Sequence, residues 1–489
     1  MARRWGSGTR ILAAYLALAL VTALVVVVGA AEQPVYGGAA PFGGTRFDEL
    51  RAAPKASGWT LDLASAVAPG IPVECVVLRA GDVDAAHELV TATVPSSSPT
   101  GRFTACTRYA SAVAARLVMV DPATGRVLWT RDLAGDLGLT SASVVWHASS
   151  TRGVVVVGVD ALEGDDLVGL DVSTGRTRGR TSVPDPDDVI NFAVVGDLVL
   201  TASPDADSAV TRYSLRRVDD VSDLVWTEET SSSVFPQLLS HRLLVPLPTG
   251  TVSVDGSTGR VTAWPHDLSR DTGVQVAGDR VFAVLPGAGV GLAPTLEAYR
   301  ADGTVDWRYT AAGIAAVATS RDCVVVSRLG STTTCLDPTT GRARWSADLP
   351  GVVEGTPPGA TTSDIEIVAP VRTGDTTLRV SEVDAASGRV RFASVLPRGM
   401  VVAGQSRTVG YAIDAPDQAS GSGRLSAFDL SSGRVLWTVS SVAPPVAAPH
   451  DTDYFDVWGG HLVALTGRGT VSELTTTTAD GPRHGMLDR

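Results

Sequence analysis

The chain has 489 residues, of which 44% are apolar and 50 are glycine, and its formal net charge is −12. This acidic balance repels phosphate backbones, so the composition argues against a nucleic-acid partner. The abundance of glycine together with valine, threonine and serine favours many short strands joined by tight turns over a helical fold.

The N-terminus has the features of a membrane anchor. Three arginines within residues 1–10 precede an uncharged run over residues 11–31. As a helix these 21 residues would span about 31 Å, which matches a hydrocarbon core of about 30 Å. Because the positive charges come first, residues 1–10 are expected in the cytoplasm and the rest of the chain outside it. A cleaved signal peptide is the alternative, but its apolar segment would have only about 7–15 residues. We therefore predict a single-pass transmembrane signal-anchor helix.

The segments around the folded part are polar or rich in small residues. Residues 32–57 contain much glycine, alanine and proline, and we predict a flexible linker that lets the folded part stand away from the bilayer. Residues 58–475 are predicted to form the folded domain. The polar residues 476–489 are expected to be a disordered tail.

Four cysteines suit an oxidising compartment outside the cytoplasm. Cys323 and Cys335 flank two predicted strands around a turn, so they should face each other across a hairpin. Cys75 and Cys106 remain as the second pair. We predict two disulfides, and four buried free thiols are the alternative.

One phrase recurs along the chain: an aspartate, a glycine four residues later, and a tryptophan four residues after the glycine. The clearest copies are Asp121, Gly125 and Trp129; Asp337, Gly341 and Trp345; and Asp429, Gly433 and Trp437. Copies that begin at Asp171, Asp255 and Asp384 keep the turn but have Gly179, a later Trp264 and Phe392 near the tryptophan position. Two degraded copies end at Trp226 and Trp307. The 308 residues from Gly125 to Gly433 make seven intervals that average 44 residues.

The repeat phrase is typical of a β-hairpin. The residues before the aspartate alternate in the period of a half-buried strand. The aspartate carboxylate can accept backbone N–H groups in the turn, and the glycine takes the left-handed conformation that closes it. The tryptophan then lies on the second strand and needs cover from outside its own hairpin. A period of about 40–50 residues is that of one four-stranded propeller blade, in which the neighbouring blade supplies this cover.

Two further strands precede the phrase in the clearer intervals, for example residues 189–195 with 198–201. Residues 461–474 resemble the inner strands of a blade, and residues 58–63 resemble its missing outer strand, so the two chain ends are predicted to close the ring together. Eight hairpins and this shared blade make nine units. Because propellers usually have four to eight blades, we predict an all-β, eight-bladed propeller in which residues 64–133 or the copy near Trp226 do not form a full blade.

The phrase resembles the repeat of the PQQ-like, quinoprotein-type β-propellers, in which Asp-x-x-Thr-Gly-x-x-x-Trp ends each blade. The resemblance covers residues 58–475 and implies the fold. That family holds quinoprotein alcohol dehydrogenases and also non-enzymatic scaffolds such as the outer-membrane-assembly propellers, so the fold alone leaves the activity open.

Few residues match the chemistry of the dehydrogenases. The resemblance would imply two adjacent cysteines over the cofactor and a calcium ion held by glutamate, asparagine and aspartate. No two cysteines are adjacent here, and Asn191 is the only asparagine. The seven histidines, at 87, 147, 241, 266, 450, 461 and 484, form no metal-binding pair by spacing. The acidic segments 185–188 and 205–207 lack the spacing of a calcium loop, and no helix is expected after the glycine run 287–291. We predict no catalytic, cofactor or metal site.

The leading hypothesis is therefore a non-catalytic member of this family. It would be anchored in the cell membrane through residues 11–31, carry an extracellular propeller, and bind a protein or ligand of the cell envelope. The alternatives are a PQQ-dependent quinoprotein dehydrogenase and a sensor of a small ligand in the central channel.

Overall fold

The computed structural model describes residues 47–476 apart from short internal stretches. These stretches are residues 95–105, 114, 140–141, 150–151, 162–164, 184–190, 196, 205–209, 231–235, 240–241, 248, 269–272, 278, 288–292, 321, 329–331, 357–364, 371–376, 415–422, 441–453 and 467–468. The predicted anchor, residues 11–31, and the predicted tail after residue 476 lie outside the described residues. Within the described part, no helix has both the length and the apolar character that crossing a bilayer requires.

The described residues form 36 strands, arranged in nine four-stranded antiparallel sheets. In the first half of the chain the strands are β1 (Ala56–Asp62), β2 (Val77–Asp84), β3 (His87–Thr93), β4 (Arg116–Asp121), β5 (Arg126–Asp132), β6 (Ala142–Ser149), β7 (Val154–Ala161), β8 (Asp165–Asp171), β9 (Thr177–Val183), β10 (Asn191–Val195), β11 (Leu198–Pro204), β12 (Thr211–Arg217), β13 (Leu224–Thr230), β14 (Gln237–Leu239), β15 (Arg242–Leu247), β16 (Gly250–Asp255) and β17 (Val261–Trp264).

The second half continues the same pattern. Its strands are β18 (Gly273–Ala277), β19 (Arg280–Leu285), β20 (Thr295–Tyr299), β21 (Val305–Thr310), β22 (Ile314–Thr319), β23 (Val324–Arg328), β24 (Thr333–Leu336), β25 (Ala343–Ala347), β26 (Val352–Gly355), β27 (Ile365–Pro370), β28 (Thr377–Val383), β29 (Val390–Pro397), β30 (Met400–Gln405), β31 (Val409–Asp414), β32 (Arg424–Asp429), β33 (Val435–Ser440), β34 (Tyr454–Trp458), β35 (His461–Leu465) and β36 (Thr470–Thr475).

Each consecutive group of four strands from β2 to β33 forms one sheet, and we number these sheets blades 1 to 8. The ninth sheet, the closing blade, combines β34, β35 and β36 with β1 as its fourth strand. β1 pairs antiparallel with β36, and Ala56 lies opposite Thr475. The prediction that the two chain ends share one blade is therefore confirmed.

The predicted blade count was wrong. The fold is an all-β propeller, but the described residues form nine blades rather than eight. Both doubtful segments are complete sheets, namely blade 1 (β2 to β5) and blade 3 (β10 to β13). Blade 3 lacks the turn glycine, yet β12 and β13 pair in register from Thr211 opposite Thr230 to Leu215 opposite Trp226. Cross-strand pairing therefore forms this hairpin without the residue that made the copy recognisable.

In the part of the chain that the structure describes, three short helices connect strands outside the sheets. They are α1 (Leu63–Val67), α2 (Ala110–Val113) and α3 (Leu133–Leu137), and 3-10 turns cover Val73–Cys75 and Thr107–Tyr109. Asp132 caps α3 by accepting the backbone N–H of Gly135.

The hydrophobic core lies between neighbouring blades. Each second strand is buried on both faces because a sheet lies on either side of its own. Val324, Val325 and Val326 of β23, for example, are all inaccessible to solvent. Between blades 5 and 6, side chains such as Phe282 and Trp307 from one sheet pack against Val324 and Val326 of the next.

The turns of the repeat phrase form as their residues require. The Asp337 carboxylate accepts the backbone N–H groups of Thr339 and Thr340 at 2.9 and 2.8 Å. Gly341 has a φ of +66° and donates its N–H to the Asp337 carbonyl. The Arg344 guanidinium, followed by these backbone groups, lowers the pKa of Asp337 to about 2, so the turn keeps its charge well into the acidic range.

Candidate functional site

The tryptophans of the repeat phrase lie between blades. Trp307 of blade 5 covers Gly341 in the turn of blade 6, where an added Cβ would lie 2.5 Å from the indole ring. Its Nε1–H donates to the Pro338 carbonyl at 2.9 Å. The Trp307 indole thus uses two features of the next turn, a residue without a side chain and a backbone carbonyl.

The same arrangement recurs at other junctions. Trp129 of blade 1 lies over Gly175, and Trp345 of blade 6 lies over Gly388. Their Nε1–H groups donate to the carbonyls of Val172 and Ala385, both at 2.7 Å.

The fourth strand of blade 2 has no indole to offer to blade 3. Its residue at the tryptophan position is Gly179, and a Cβ there would lie 3.0 Å from the backbone nitrogen of Val221. Val218 and Val221, around the turn of blade 3, are inaccessible to solvent. The turn of blade 3 therefore packs its own valines into the space that an indole fills elsewhere, which explains why both partners depart from the phrase together.

Both predicted disulfides are present. Cys323 and Cys335 are joined with their Cα atoms 5.5 Å apart, and Cys75 and Cys106 with theirs 5.1 Å apart. The first bond links neighbouring strands of blade 6, and the second links the segment before β2 to the segment before β4.

The closing blade has no turn between β36 and β1, because these strands come from opposite ends of the chain. Residues 47–55, which we call the strap, lie beside the closing blade and lead directly into β1. The Lys55 N–H donates to the Thr475 carbonyl at 3.0 Å, and the Asp48 N–H donates to the Gly460 carbonyl at 3.1 Å. The predicted linker, residues 32–57, therefore does not extend to β1, because its last residues are bonded to the ring.

The strap receives the tryptophan of blade 8. Trp437 donates its Nε1–H to the Leu50 carbonyl at 2.9 Å. Phe47 and Leu50 are 5% and 8% exposed and pack with Tyr411 and Trp437 in one apolar cluster. The Tyr411 hydroxyl accepts the Leu50 N–H at 2.7 Å and donates to the Asp48 carbonyl.

A polar cluster joins the strap to the closing blade. His461 on β35 places Nδ1 3.1 Å from Asp48 Oδ2 and 3.1 Å from Glu473 Oε1. Hydrogen bonds to Asp48 and then Glu473 raise the pKa of His461 to about 10, against the opposing effect of burial. Among the described residues, these three are the one group of histidine, cysteine and acidic side chains whose ligand atoms lie close enough together to hold a metal ion.

Sequence reasoning missed this cluster. The histidines were tested for local spacing, whereas Asp48 and His461 are 413 residues apart. Of the other histidines, His87 faces Asp84 at 2.8 Å and His266 stacks on Tyr299. The side chains of the histidines at 147, 241, 450 and 484 lie outside the described part, as do the acidic segments 185–188 and 205–207 and residues 288–291 of the glycine run.

A cavity of about 490 Å³ lies against the first strands of blades 5, 6 and 7. Gln275 supplies the one polar side chain among its eight lining residues, which also include Gly273, Ile314, Val317 and Val353. A quinone cofactor with three carboxylates and a calcium ion would need charged and oxygen-bearing side chains here. The described lining does not fit such a group. Asn191 begins β10 of blade 3, and its side chain is outside the described part.

A second cavity, of about 350 Å³, opens beside the strap. Its lining is polar and charged and includes Arg51, Glu382, Arg391, Arg407 and Asp429. Arg51 of the strap donates to Asp429 and, at 2.8 Å, to Thr408.

The sequence of part of the chain matches a known family with this type of repeat. The sequence profile of the family described as outer membrane protein assembly factor BamB matches residues 248–399 and 292–448. No curated protein sequence matches the chain significantly.

Solved structures that resemble the chain include a BamB protein and a quinohemoprotein alcohol dehydrogenase. BamB from Moraxella catarrhalis is 14% identical over 73% of this chain and 90% of that one, with a TM-score of 0.34. The quinohemoprotein alcohol dehydrogenase from Comamonas testosteroni is 12% identical over 93% of this chain and 82% of that one, with a TM-score of 0.43. The computationally designed Ika8 protein is 14% identical over 86% and 99%, with a TM-score of 0.39. These likenesses concern the fold and leave the activity open.

Proposed function

Starting from a PQQ-like repeat propeller whose residues between 248 and 448 match the BamB family, we propose that this chain is a non-catalytic binding platform. It is tethered to the membrane by residues 11–31 and holds its ring outside the cytoplasm, where it binds a protein of the cell envelope. The observation that carries the proposal is the cavity at the first strands of blades 5 to 7. None of the described residues that line it carries a titratable side chain, and acid–base or cofactor chemistry depends on such groups.

The construction of the ring supports a platform. Indoles that lie over a turn glycine and donate to a turn carbonyl fix blade 1 against blade 2, blade 5 against blade 6, and blade 6 against blade 7. The shared blade closes the ring. A rigid scaffold of this kind holds its loops and rim in fixed positions, which is a common basis for binding.

The outer rim offers an apolar surface for a partner. The residue two places after the turn glycine is an exposed valine in blades 4, 5, 7 and 8. These residues are Val261, Val305, Val390 and Val435, and 38–42% of each is accessible to solvent. The same position recurs on neighbouring fourth strands, so these side chains lie at equivalent places along the rim. We take this row of exposed valines as the surface that a protein partner would contact.

The test is crosslinking and affinity capture of the full-length chain from intact membranes of its own host. The wild type should capture a defined envelope protein, and the double variant Val390→Arg with Val435→Arg should lose it. Val401→Arg is the matched control, because Val401 is 47% exposed but lies on a first strand. Capture by the rim variant equal to that of the control would show that the rim is not the binding surface.

The enzymatic alternative needs its own measurement. The purified full-length protein is incubated with PQQ and calcium and tested for dye-linked oxidation of short alcohols. The platform proposal expects no oxidation above the level of the heat-denatured protein. Turnover that depends on PQQ would overturn it in favour of a quinoprotein dehydrogenase.

A further inference from the structure

Three ligand atoms converge where the strap meets the closing blade. Asp48 comes from the strap, His461 from β35 and Glu473 from β36. Their side chains are 35%, 24% and 16% exposed, so an ion can reach them and is still partly shielded from bulk water.

The distances suit a small transition-metal ion. Zinc binds imidazole nitrogen and carboxylate oxygen at about 2.0–2.2 Å in tetrahedral geometry, which separates neighbouring ligand atoms by roughly 3.4 Å. His461 Nδ1 lies 3.1 Å from each carboxylate oxygen. The Asp48 and Glu473 oxygens lie within 4.8 Å of each other. Side-chain rotations could therefore bring both carboxylates to ligand positions around one ion.

Hydrogen bonding alone serves this arrangement poorly. Nδ1 carries a single proton, yet it faces two carboxylate oxygens at equal distance. One proton can lie along only one of these directions with good geometry, and hydrogen bonds weaken steeply away from linearity. A metal ion among the three atoms would contact all of them at once.

β1 also leaves room for the Glu473 carboxylate. A Cβ at Gly58 would lie 1.9 Å from Glu473 Oε2, so a larger residue there would displace the side chain. The pairing of β1 with β36 is irregular between Ser57 and Thr60, which is where this glycine sits.

We propose that Asp48, His461 and Glu473 bind a divalent transition-metal ion of the zinc type, which fastens the strap to the closing blade. Two carboxylates and a neutral imidazole balance the charge of such an ion, and binding releases the imidazole proton. Water would complete the coordination. This site is independent of the binding platform proposed above, and either can fail without the other.

The test uses the full-length protein, stripped with EDTA and then titrated with zinc chloride, with magnesium chloride in parallel. Zinc should raise the melting temperature by about 3 °C at an excess of roughly a hundredfold over Kd. Magnesium should have no effect, because it prefers six oxygen ligands in octahedral geometry. Cobalt, used as a spectroscopic probe, should give the intense visible absorption of a tetrahedral site.

Isosteric variants distinguish a built site from general surface binding. Glu473→Gln and Asp48→Asn should each weaken zinc affinity at least tenfold in calorimetric titration. His87→Gln is the matched control, because His87 faces one carboxylate, that of Asp84, and should leave the affinity unchanged. The proposal is overturned if the wild type shows no zinc-dependent rise, or if all three variants bind as the wild type does.

Discussion

One tryptophan lies at the junction between blades 5 and 6, and another lies at the junction between blade 8 and the closing blade. The two indoles are held by different means. At the first, Trp307 donates to the Pro338 carbonyl and covers Gly341, both in a turn of the next blade. At the second, Trp437 donates to the carbonyl of Leu50, 387 residues away in sequence. The strap therefore takes the place of a turn that the closing blade cannot form.

The strap also replaces the charged partner of a turn aspartate. In blade 6, Arg344 of the hairpin donates to Asp337 of the same hairpin at 2.6 Å. The equivalent position in blade 8 is Leu436, and Asp429 is instead paired with Arg51 of the strap. The strap thus supplies two partners that come from elsewhere in blades 5 and 6. One is the carbonyl that a neighbouring turn offers to the indole, and the other is the arginine that a hairpin offers to its own aspartate. The ring is therefore closed by the hydrogen bond and the ion pair of the strap as well as by the pairing of β1 with β36.

Removing the two indoles tests this equivalence with the largest expected effect. Trp307→Ala and Trp437→Ala should each lower the free energy of unfolding by about 3–5 kcal/mol, because each leaves a cavity between two sheets. Both side chains are at least nine-tenths buried. Differential scanning calorimetry under identical conditions would measure the loss.

The matched control for these truncations is Trp226→Ala in blade 3, whose indole is only half-buried and covers no turn glycine. It should cost clearly less. If Trp437→Ala cost no more than Trp226→Ala, the strap would not act as a turn, and the comparison between the two junctions would be broken.

Glycine substitutions separate close packing from backbone conformation. Gly341 and Gly153 have φ of +66° and +69°, so alanine strains both by about 1–2 kcal/mol. At Gly341 the new Cβ also meets the Trp307 ring, whereas at Gly153 nothing lies within 4 Å. Gly341→Ala should therefore cost about 2 kcal/mol more than Gly153→Ala, since overpacking adds to the strain. Chemical unfolding followed by far-UV circular dichroism would compare them, and equal losses would contradict the close contact between turn and indole.

The other flank of the closing blade, against blade 1, has a different electrostatic character. Burial, followed by the hydrogen bond and charge of Asp82 and the charge of Asp456, raises the pKa of Glu88 to about 11. Glu88 is 1% exposed and lies opposite Asp82 in the pairing of β2 with β3. At neutral pH the folded chain therefore keeps a proton that the unfolded chain releases above about pH 4.5.

This proton predicts a pH dependence that a neutral amide would remove. The unfolded state binds fewer protons between its own pKa and that of the folded state, so stability falls as pH rises through that window. From pH 6 to pH 8 the wild type should lose about 3 kcal/mol more than Glu88→Gln, measured by urea unfolding at each pH. Parallel curves for the two proteins would show that Glu88 is ionised when folded.

Much of the fold was predictable because its signals are local. Asp337, Gly341 and Trp345 lie within nine residues, and each has a conformational reason for its place in a hairpin. The strands predicted over residues 189–195 and 198–201 appear as β10 and β11. The blade count failed for another reason. Nine units were counted in the sequence, but the usual size of propellers was given more weight than the count.

The strap and the metal-ligand cluster could not be predicted in the same way. Leu50 contributes a backbone carbonyl to Trp437, and every residue has a carbonyl, so no residue type marks that position. Asp48, His461 and Glu473 meet only when the ring closes, and the register of β1 against β36 decides which side chains meet. The composition of residues 32–57 contained no sign that the end of this segment is bonded to the ring.

The smallest expected effect tests whether the strap's arginine does the same work as a hairpin arginine. Arg51 and Arg344 are 50% and 39% exposed, and each pairs with the turn aspartate of a blade. Exposed pairs of this kind contribute about 0.2–1 kcal/mol and are screened by salt. Arg51→Gln and Arg344→Gln should therefore each lower stability by about 0.5 kcal/mol in low salt, and by less in about 1 M sodium chloride. A loss at Arg51 several times that at Arg344, unchanged by salt, would mean that Arg51 holds the strap by packing rather than by charge, because dispersion and burial do not respond to ionic screening. Packing of Arg51 against the other residues that line the second cavity, including Asp429, would then fix the strap to the ring.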